Sequence, residues 1–273
     1  MNWEALTGPE FKQAVKRARG VCLVAIGCVE QHGPHLPLGT DYLNGHRICT
    51  LAAEKEPALV FPPYYFGQIH EARHCPGTVA TDPQLTLQLL LNVCDEISRN
   101  GCDKIVFYNA HGGNTHMLGY FVQCLLAKPR PYTVYCPERL DAEGKRKRAA
   151  ILATERHAHA CECETSISLA NHPHLVRMQA LKNRTGEPLR RLAALPAGFT
   201  PVSWYADFPE HYAGDARPAT REKGEQLRQL IVDHLAACVR AIKADRVVLR
   251  LQQEFYARAA CPCRSRRSAA PRK

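Results

Sequence analysis

Short continuous apolar runs alternate along this chain with longer stretches in which apolar residues return at helical spacing, as expected of strands buried between helices. Pro9 to Ala18 reads as a helix with Phe11, Ala14, Val15 and Ala18 on one face and Gly20 just past its end. Val21 to Cys28 follows as the first strand. Thr40 or Asp41 is placed to cap a helix containing Leu43, Ile48 and Cys49, and Ala58 to Pro62 reads as a short strand. Asp82 before Pro83 marks an N-cap, after which Leu85, Leu89, Val93 and Ile97 recur at helical steps up to Gly101. Lys104 to Asn109 is the next strand, and a helix from near Asn114 sets Met117, Phe121, Leu125 and Leu126 on its buried side. Tyr132 to Cys136 returns as a strand. A long helix from Thr220 to about Ala244 carries Leu227, Leu230, Ile231, His234, Leu235, Cys238 and Ile242 as a core stripe, with His234 a hydrogen-bonded buried histidine. The alternation predicts an α/β fold, a three-layer α/β/α arrangement with a mostly parallel central sheet. In such folds ligands gather beyond the carboxyl ends of the strands.

Three segments concentrate polar chemistry at those positions. In Gly27-Cys28-Val29-Glu30-Gln31-His32-Gly33-Pro34-His35-Leu36-Pro37-Leu38-Gly39-Thr40-Asp41, Glu30 and His32 are two apart and leave an extended backbone on the same side. Gly33 and Pro34 then break the strand and let the chain return with Asp41. Proteins seldom bury Glu, Asp and His together unless they are paired or ligate a cation, because an isolated buried carboxylate is costly. His111 sits where the strand ending at Asn109 stops, in Ala110-His111-Gly112-Gly113-Asn114. The third segment is His157-Ala158-His159-Ala160-Cys161-Glu162-Cys163-Glu164-Thr165-Ser166. Residues five apart on one helix are rotated by about 140°, so His159 is placed before the helix and Glu164 in its first turn.

Taken together and in this order, the segments resemble the creatininase family of metal-dependent amidohydrolases, whose pattern is Glu-x-His-Gly-x-His-Leu-Pro-x-x-x-Asp, then Asn-x-His-Gly-Gly-Asn, then His-Ala-x-x-x-Glu-Thr-Ser. The likeness runs from about Val21 to Val176, with weaker similarity through Gly214 and the helix bearing Thr220, Glu222, Lys223 and Gly224. It implies two divalent metal ions per chain. Glu30, Asp41 and His111 are implied on one, His32, Asp41 and Glu164 on the other, with Asp41 as the bridge. This oxygen and imidazole set suits Zn²⁺, Mn²⁺ or Fe²⁺. His159 matches the family's catalytic histidine, a proton relay to the departing nitrogen. Glu162 either assists it or faces solvent. Creatininases proper carry an acidic residue where this chain has Gly113, so creatinine itself is not the expected substrate. The glycine version resembles the wider family, which includes formamide hydrolases and a peptidase.

The implied activity is hydrolysis of a C–N bond in a small amide, cyclic amide or formamide. The alternatives are a metallopeptidase trimming a short peptide and a ligand-binding relative without catalysis. The resemblance also implies a homo-oligomer, a hexamer built from dimers. Trp204 is read as a core or surface aromatic, His35 as a substrate contact or a loop anchor, and His211 as a supporting residue near the site. The loop with His70, Glu71, Arg73 and His74 is read as lining the substrate pocket.

Length and composition add limits. The chain has 273 residues, enough for one sizeable core, and residues 1–255 are expected to form a single domain. Its net charge of +10 does not read as a nucleic-acid footprint, because five of those charges lie in the last thirteen residues, which contain no acid. Residues 256–273 are therefore expected to be a basic, disordered tail. No apolar run is long enough to span a membrane, and the chain opens without a charged-then-apolar leader, so a cytoplasmic enzyme is expected. Thirteen cysteines, an odd number spread through predicted core elements, fit reduced thiols. Cys22, Cys28, Cys94, Cys102 and Cys124 are read as small apolar core residues, and Cys161 and Cys163 flank the catalytic segment.

Overall fold

The computed structural model describes residues 1–263 except 183, 197 and 199. Its centre is a parallel sheet of β1 (Val21–Ile26), β2 (Leu59–Val60), β3 (Lys104–Asn109) and β4 (Thr133–Tyr135), in the order β2-β1-β3-β4. Side chains alternate across each strand, which divides the core in two. Val21, Leu23, Ala25, Val106 and Tyr108 face one layer, and Cys22, Val24, Ile26, Ile105 and Phe107 face the other. The first layer holds α2 (Thr40–Lys55), α6 (Glu162–Asn171) and α8 (Arg221–Ala244). The second holds α1 (Gly8–Ala18), α3 (Pro83–Arg99) and α4 (Asn114–Cys124). The three-layer α/β/α arrangement is thus present. Shorter elements complete it: α5 (Ala142–Ile151), β5 (His157–His159), α7 (Ser203–Asp207), β6 (Ala213–Gly214), paired antiparallel with β5, and α9 (Val248–Ala259).

Local chemistry accounts for the helix ends. Thr7 and Glu10 form a capping box on α1, and Asp82 caps α3 by accepting from the Gln84 and Leu85 N–H groups. Thr220 caps α8 through the Lys223 N–H. Gly224 allows α8 to lie directly on α6, since a Cβ there would sit 1.8 Å from the Ser166 carbonyl oxygen. That contact holds the helix carrying Glu164 against the core.

Several expectations are corrected. Neither Thr40 nor Asp41 caps α2: Gly39 occupies the cap position and Asp41 lies inside the first turn. The buried stripe of α3 is Thr86, Leu90, Cys94 and Ile97, and Leu85 faces solvent. The segment Leu85 to Val93 has apolar residues on both faces, so periodicity alone did not choose between them. Leu118 and Phe121 are the buried apolar residues of α4, with Met117 packed against that core and Leu126 exposed. Cys124 is exposed rather than in the core, and His234 is half-buried beside the Glu138 carbonyl, 3.1 Å away. The chain past residue 255 is not all tail. α9 continues to Ala259, with Tyr256 donating its hydroxyl proton to the Leu125 and Lys128 carbonyls. The tail expectation from residue 264 onward falls outside the described residues. No described helix is long and apolar enough to cross a membrane, and the cysteines are free.

Candidate metal centre

Strands β1 and β3 run side by side in register, Ile26 opposite Asn109, so the segments leaving their carboxyl ends emerge together. The first delivers Glu30 and His32, and the second delivers His111. Asp41 reaches the same point from the first turn of α2. The kink between β5 and α6 completes the cluster. Ala160 adopts φ +53, and its N–H donates to Glu164 Oε2 at 2.6 Å, which aims Glu164 inward while His159 ends β5. The expected split of His159 before the helix and Glu164 in its first turn is therefore observed.

All six residues expected at the site converge. Asp41 Oδ1 lies 3.1 Å from His32 Nε2, and Asp41 Oδ2 lies 2.9 Å from His111 Nδ1. The same His111 nitrogen is 2.7 Å from Glu30 Oε1. Ligand atoms of Glu30, Asp41 and His111 with Cys28 lie within 4.8 Å of one another, as do those of His32, Asp41 and Glu164, and those of Glu30, His32 and His159. Glu30 and His32 are fully buried.

The hydrogen bonds set the tautomers. His32 Nδ1 lies 3.2 Å from the Glu30 carbonyl, which can only accept, so Nδ1 carries a proton and Nε2 faces the carboxylates. His159 Nε2 likewise donates to the Gln31 carbonyl at 2.8 Å, which leaves Nδ1 as its lone pair.

The buried carboxylates and imidazoles shift one another's protonation. Burial alone would depress His32, but Asp41, Glu30 and Glu164 outweigh it and raise its pKa to about 9. Burial likewise disfavours a charged His111, yet Glu30 and Asp41 push its pKa well above the ordinary value. Burial would raise Glu30, but His159 and His111 hold it well below the usual carboxylate range. Glu164 is raised, chiefly by burial. His159 is depressed to about 3, mainly by burial, with Glu30 opposing and His32 adding to the effect. Protons on His32 and His111 thus stand where divalent cations would neutralise the same carboxylates. Glu30 Oε1, buried and close to two imidazoles, makes no hydrogen bond among the described residues. An acceptor so placed, in a set of three carboxylates and neutralisable imidazoles, fits a divalent ion.

Trp204 and Cys28 were misread from sequence, and His211, expected to support the site, does so. Trp204, half-buried, donates its indole N–H to His211 Nδ1 at 2.8 Å, and its ring stands edge-on to His159. Because an indole only donates, the His211 proton is on Nε2 and is given to Glu30 Oε2 at 2.5 Å. His211 is buried with φ +50, a strained conformation for a non-glycine residue and the kind that gathers at functional sites. Cys28 is not merely apolar filling. Its thiol donates to Asp41 Oδ2 at 3.2 Å, and burial followed by Asp41 and Glu30 keeps it protonated. In the sequence, only the nearness of Cys28 to Glu30 hinted at its role.

The remaining candidates are scaffold. His35 is buried with Nε2 2.7 Å from the Thr165 hydroxyl, so it anchors the loop. Cys161 and Cys163 belong to the hydrophobic core on the α2 face. On that face the centre backs onto a cavity of about 20 Å³ lined by Asn44, Tyr108, Arg139 and Ile167, room for about one water. Glu162 neither faces solvent nor touches His159's polar atoms. It is fully buried and accepts from the Ala153 N–H, the Thr154 N–H and hydroxyl, and Lys223. Burial alone would raise its pKa, but Lys223 and the Ala153 and Thr154 donors outweigh that and lower it. A folded value below the unfolded one means this stabilisation is complete above the ordinary carboxyl range and is lost as pH falls through the folded value. Glu162→Gln is therefore expected to cost about 2–4 kcal/mol at pH 7 and much less at pH 3. Urea unfolding at both pH values measures this, and an equal cost at the two would refute the assignment.

A cluster able to hold metal beyond the carboxyl ends of a parallel sheet between helices makes this an α/β protein with a candidate metal centre. Comparison with known proteins narrows it. The family model described as creatininase, creatinine amidohydrolase, matches residues 4–239. Creatinine amidohydrolase of Pseudomonas putida is 26% identical over 86% of this chain and 94% of its own. The mycofactocin precursor peptide peptidase of Mycolicibacterium smegmatis is 30% identical over 82% of this chain and 86% of its own. Among solved structures, a creatininase covers 89% of this chain and 98% of its own with TM-score 0.75 and 22% identity. A manganese creatininase superposes with TM-score 0.74 at 23% identity, covering 89% of this chain and 99% of its own. The chain belongs to the creatininase family of metal-dependent hydrolases acting on carbon–nitrogen bonds.

Proposed function

We propose that this protein is a binuclear, metal-dependent amidohydrolase that hydrolyses a C–N bond of a small amide, cyclic amide or formamide. The observation that carries the reading is Asp41, which turns one oxygen to His32 and the other to His111. One carboxylate thereby joins two donor sets, Glu30 with His111 and His32 with Glu164. Two divalent ions, Zn²⁺, Mn²⁺ or Fe²⁺, held by these sets would polarise the scissile carbonyl and lower the pKa of water.

The chain's own residues supply the rest. The His159 lone pair at Nδ1 accepts a proton and passes it to the leaving nitrogen, while the Gln31 carbonyl holds the ring by its other nitrogen. Trp204 and His211 pack on that ring and exclude water from it. Gly113 in place of an acid argues against creatinine as substrate. The enzyme is read as cytoplasmic and homo-oligomeric, a hexamer by its family.

A peptidase acting on a short peptide is the second reading, favoured by the similarity to the mycofactocin precursor peptide peptidase. Chelator-stripped protein is expected to be inactive, to take up about two ions per chain, and to regain hydrolysis of formamides or lactams. Activity confined to short peptides would move the assignment to the peptidase. Less than about one ion per chain after reloading, with no turnover, would leave a ligand-binding relative.

A further inference from the structure

His111 offers Nδ1 to Glu30 and Asp41, and a neutral imidazole whose Nδ1 lone pair faces a cation must carry its proton on Nε2. That Nε2 is buried and has no hydrogen-bond partner among the described residues. Imidazoles that ligate metals nearly always give this proton to an acceptor, which fixes the tautomer and the ring orientation.

A carboxylate from a distant part of the chain lies close by. A Cβ added at Gly113 would lie 2.5 Å from His111 Nε2 and 2.6 Å from Glu71 Oε1. Both atoms therefore border the room that a side chain at 113 would fill, which places them no more than 5.1 Å apart. Glu71 is half-buried in the turn after β2, and its other oxygen accepts from Gln68 Nε2 at 2.9 Å. The turn itself is tied to the site. The Gln68 N–H donates to Asn114 Oδ1 at 2.9 Å, Asn114 Nδ2 donates to the Ile26 carbonyl at 3.1 Å, and the Gly67 N–H donates to the Gly27 carbonyl at 3.0 Å. The Glu71 carboxylate is thus delivered, from about forty residues earlier, beside Gly113, the position at which creatininases proper carry an acidic residue.

We infer that Glu71 is a positioning residue for His111: its carboxylate accepts the Nε2 proton, holds the tautomer that turns Nδ1 toward Glu30 and Asp41, and requires Gly113 to be without a side chain. The inference rests on His111 being a metal ligand.

The test uses full-length, metal-stripped protein titrated with Mn²⁺ or Zn²⁺ against a chromophoric chelator, with the melting temperature of the metal-free form recorded alongside. Glu71→Ala is expected to weaken metal binding about 10–100-fold while leaving that melting temperature in place. Glu71→Gln keeps an oxygen acceptor and is expected to restore most of the affinity, and Gly113→Ala to reproduce the loss by filling the gap. Parental affinity in Glu71→Ala overturns the inference. So does a loss that tracks a fall in melting temperature and is not restored by glutamine. His111→Ala separates the two levels: parental affinity there removes the metal-centre reading and this one with it, whereas parental affinity in Glu71→Ala alone removes only the role of Glu71.

Discussion

His159→Ala is expected to lower kcat by about 10²–10⁴-fold while the protein still takes up its full complement of metal. The size follows from the loss of a positioned proton carrier. The retained metal follows from geometry, since His159 spends one ring nitrogen on the Gln31 carbonyl and lies 3.9 Å from Glu30, farther from the carboxylates than His32 or His111. Burial is the main cause that disfavours its charged form, and with Nε2 held by the Gln31 carbonyl the free lone pair is on Nδ1. Steady-state kinetics on the reconstituted enzyme, with metal content by elemental analysis, checks both halves. An unchanged kcat would reject the proton-relay role. Loss of an ion would instead make His159 a ligand, a possibility its proximity to Glu30 and His32 allows.

Asp41→Ala is expected to abolish binding at both positions and turnover with it. Each of the other proposed ligands serves one donor set, whereas the two oxygens of Asp41 serve both. Removing it also leaves the raised His32 and His111 without their shared counter-charge, in a buried site where an unpaired charge is costly. Asp41→Asn distinguishes the effects. Its amide keeps the shape and one oxygen but not the charge, so it is expected to bind metal more weakly than the parent and still fold. Isothermal titration with Zn²⁺ reads this directly, and retention of one tight site in Asp41→Ala would show that the carboxylate does not bridge.

The layered architecture was legible because it depends on local pattern, whereas the convergence of the site was expected from the resemblance of three separate segments to one family. Strands buried on both faces read as continuous apolar runs, and the β1 and β3 ends were placed within a residue or two. The His159 and Glu164 arrangement followed from helix geometry alone. Short or doubly apolar elements were less legible. The stripe of α3 was misassigned because Leu85, Leu89 and Leu90 offer two faces, and only the sheet above decided for Leu90. α9 was hidden because it buries none of its residues and is held by polar contacts, two each at Gln252 and Tyr256.

By itself the sequence determined which residue types stand at the strand ends, and hence that a cation-binding cluster was possible there. Side-chain alternation, glycine turns and caps act over a few residues, so they are written locally. Tertiary structure alone decided the partners reached through space: Trp204 on His211, His211 on Glu30, Cys28 on Asp41, Lys223 on Glu162, and Glu71 near His111. Such pairs leave no periodic trace, because a buried polar group needs an acceptor at hydrogen-bond distance and is indifferent to how far along the chain it comes from.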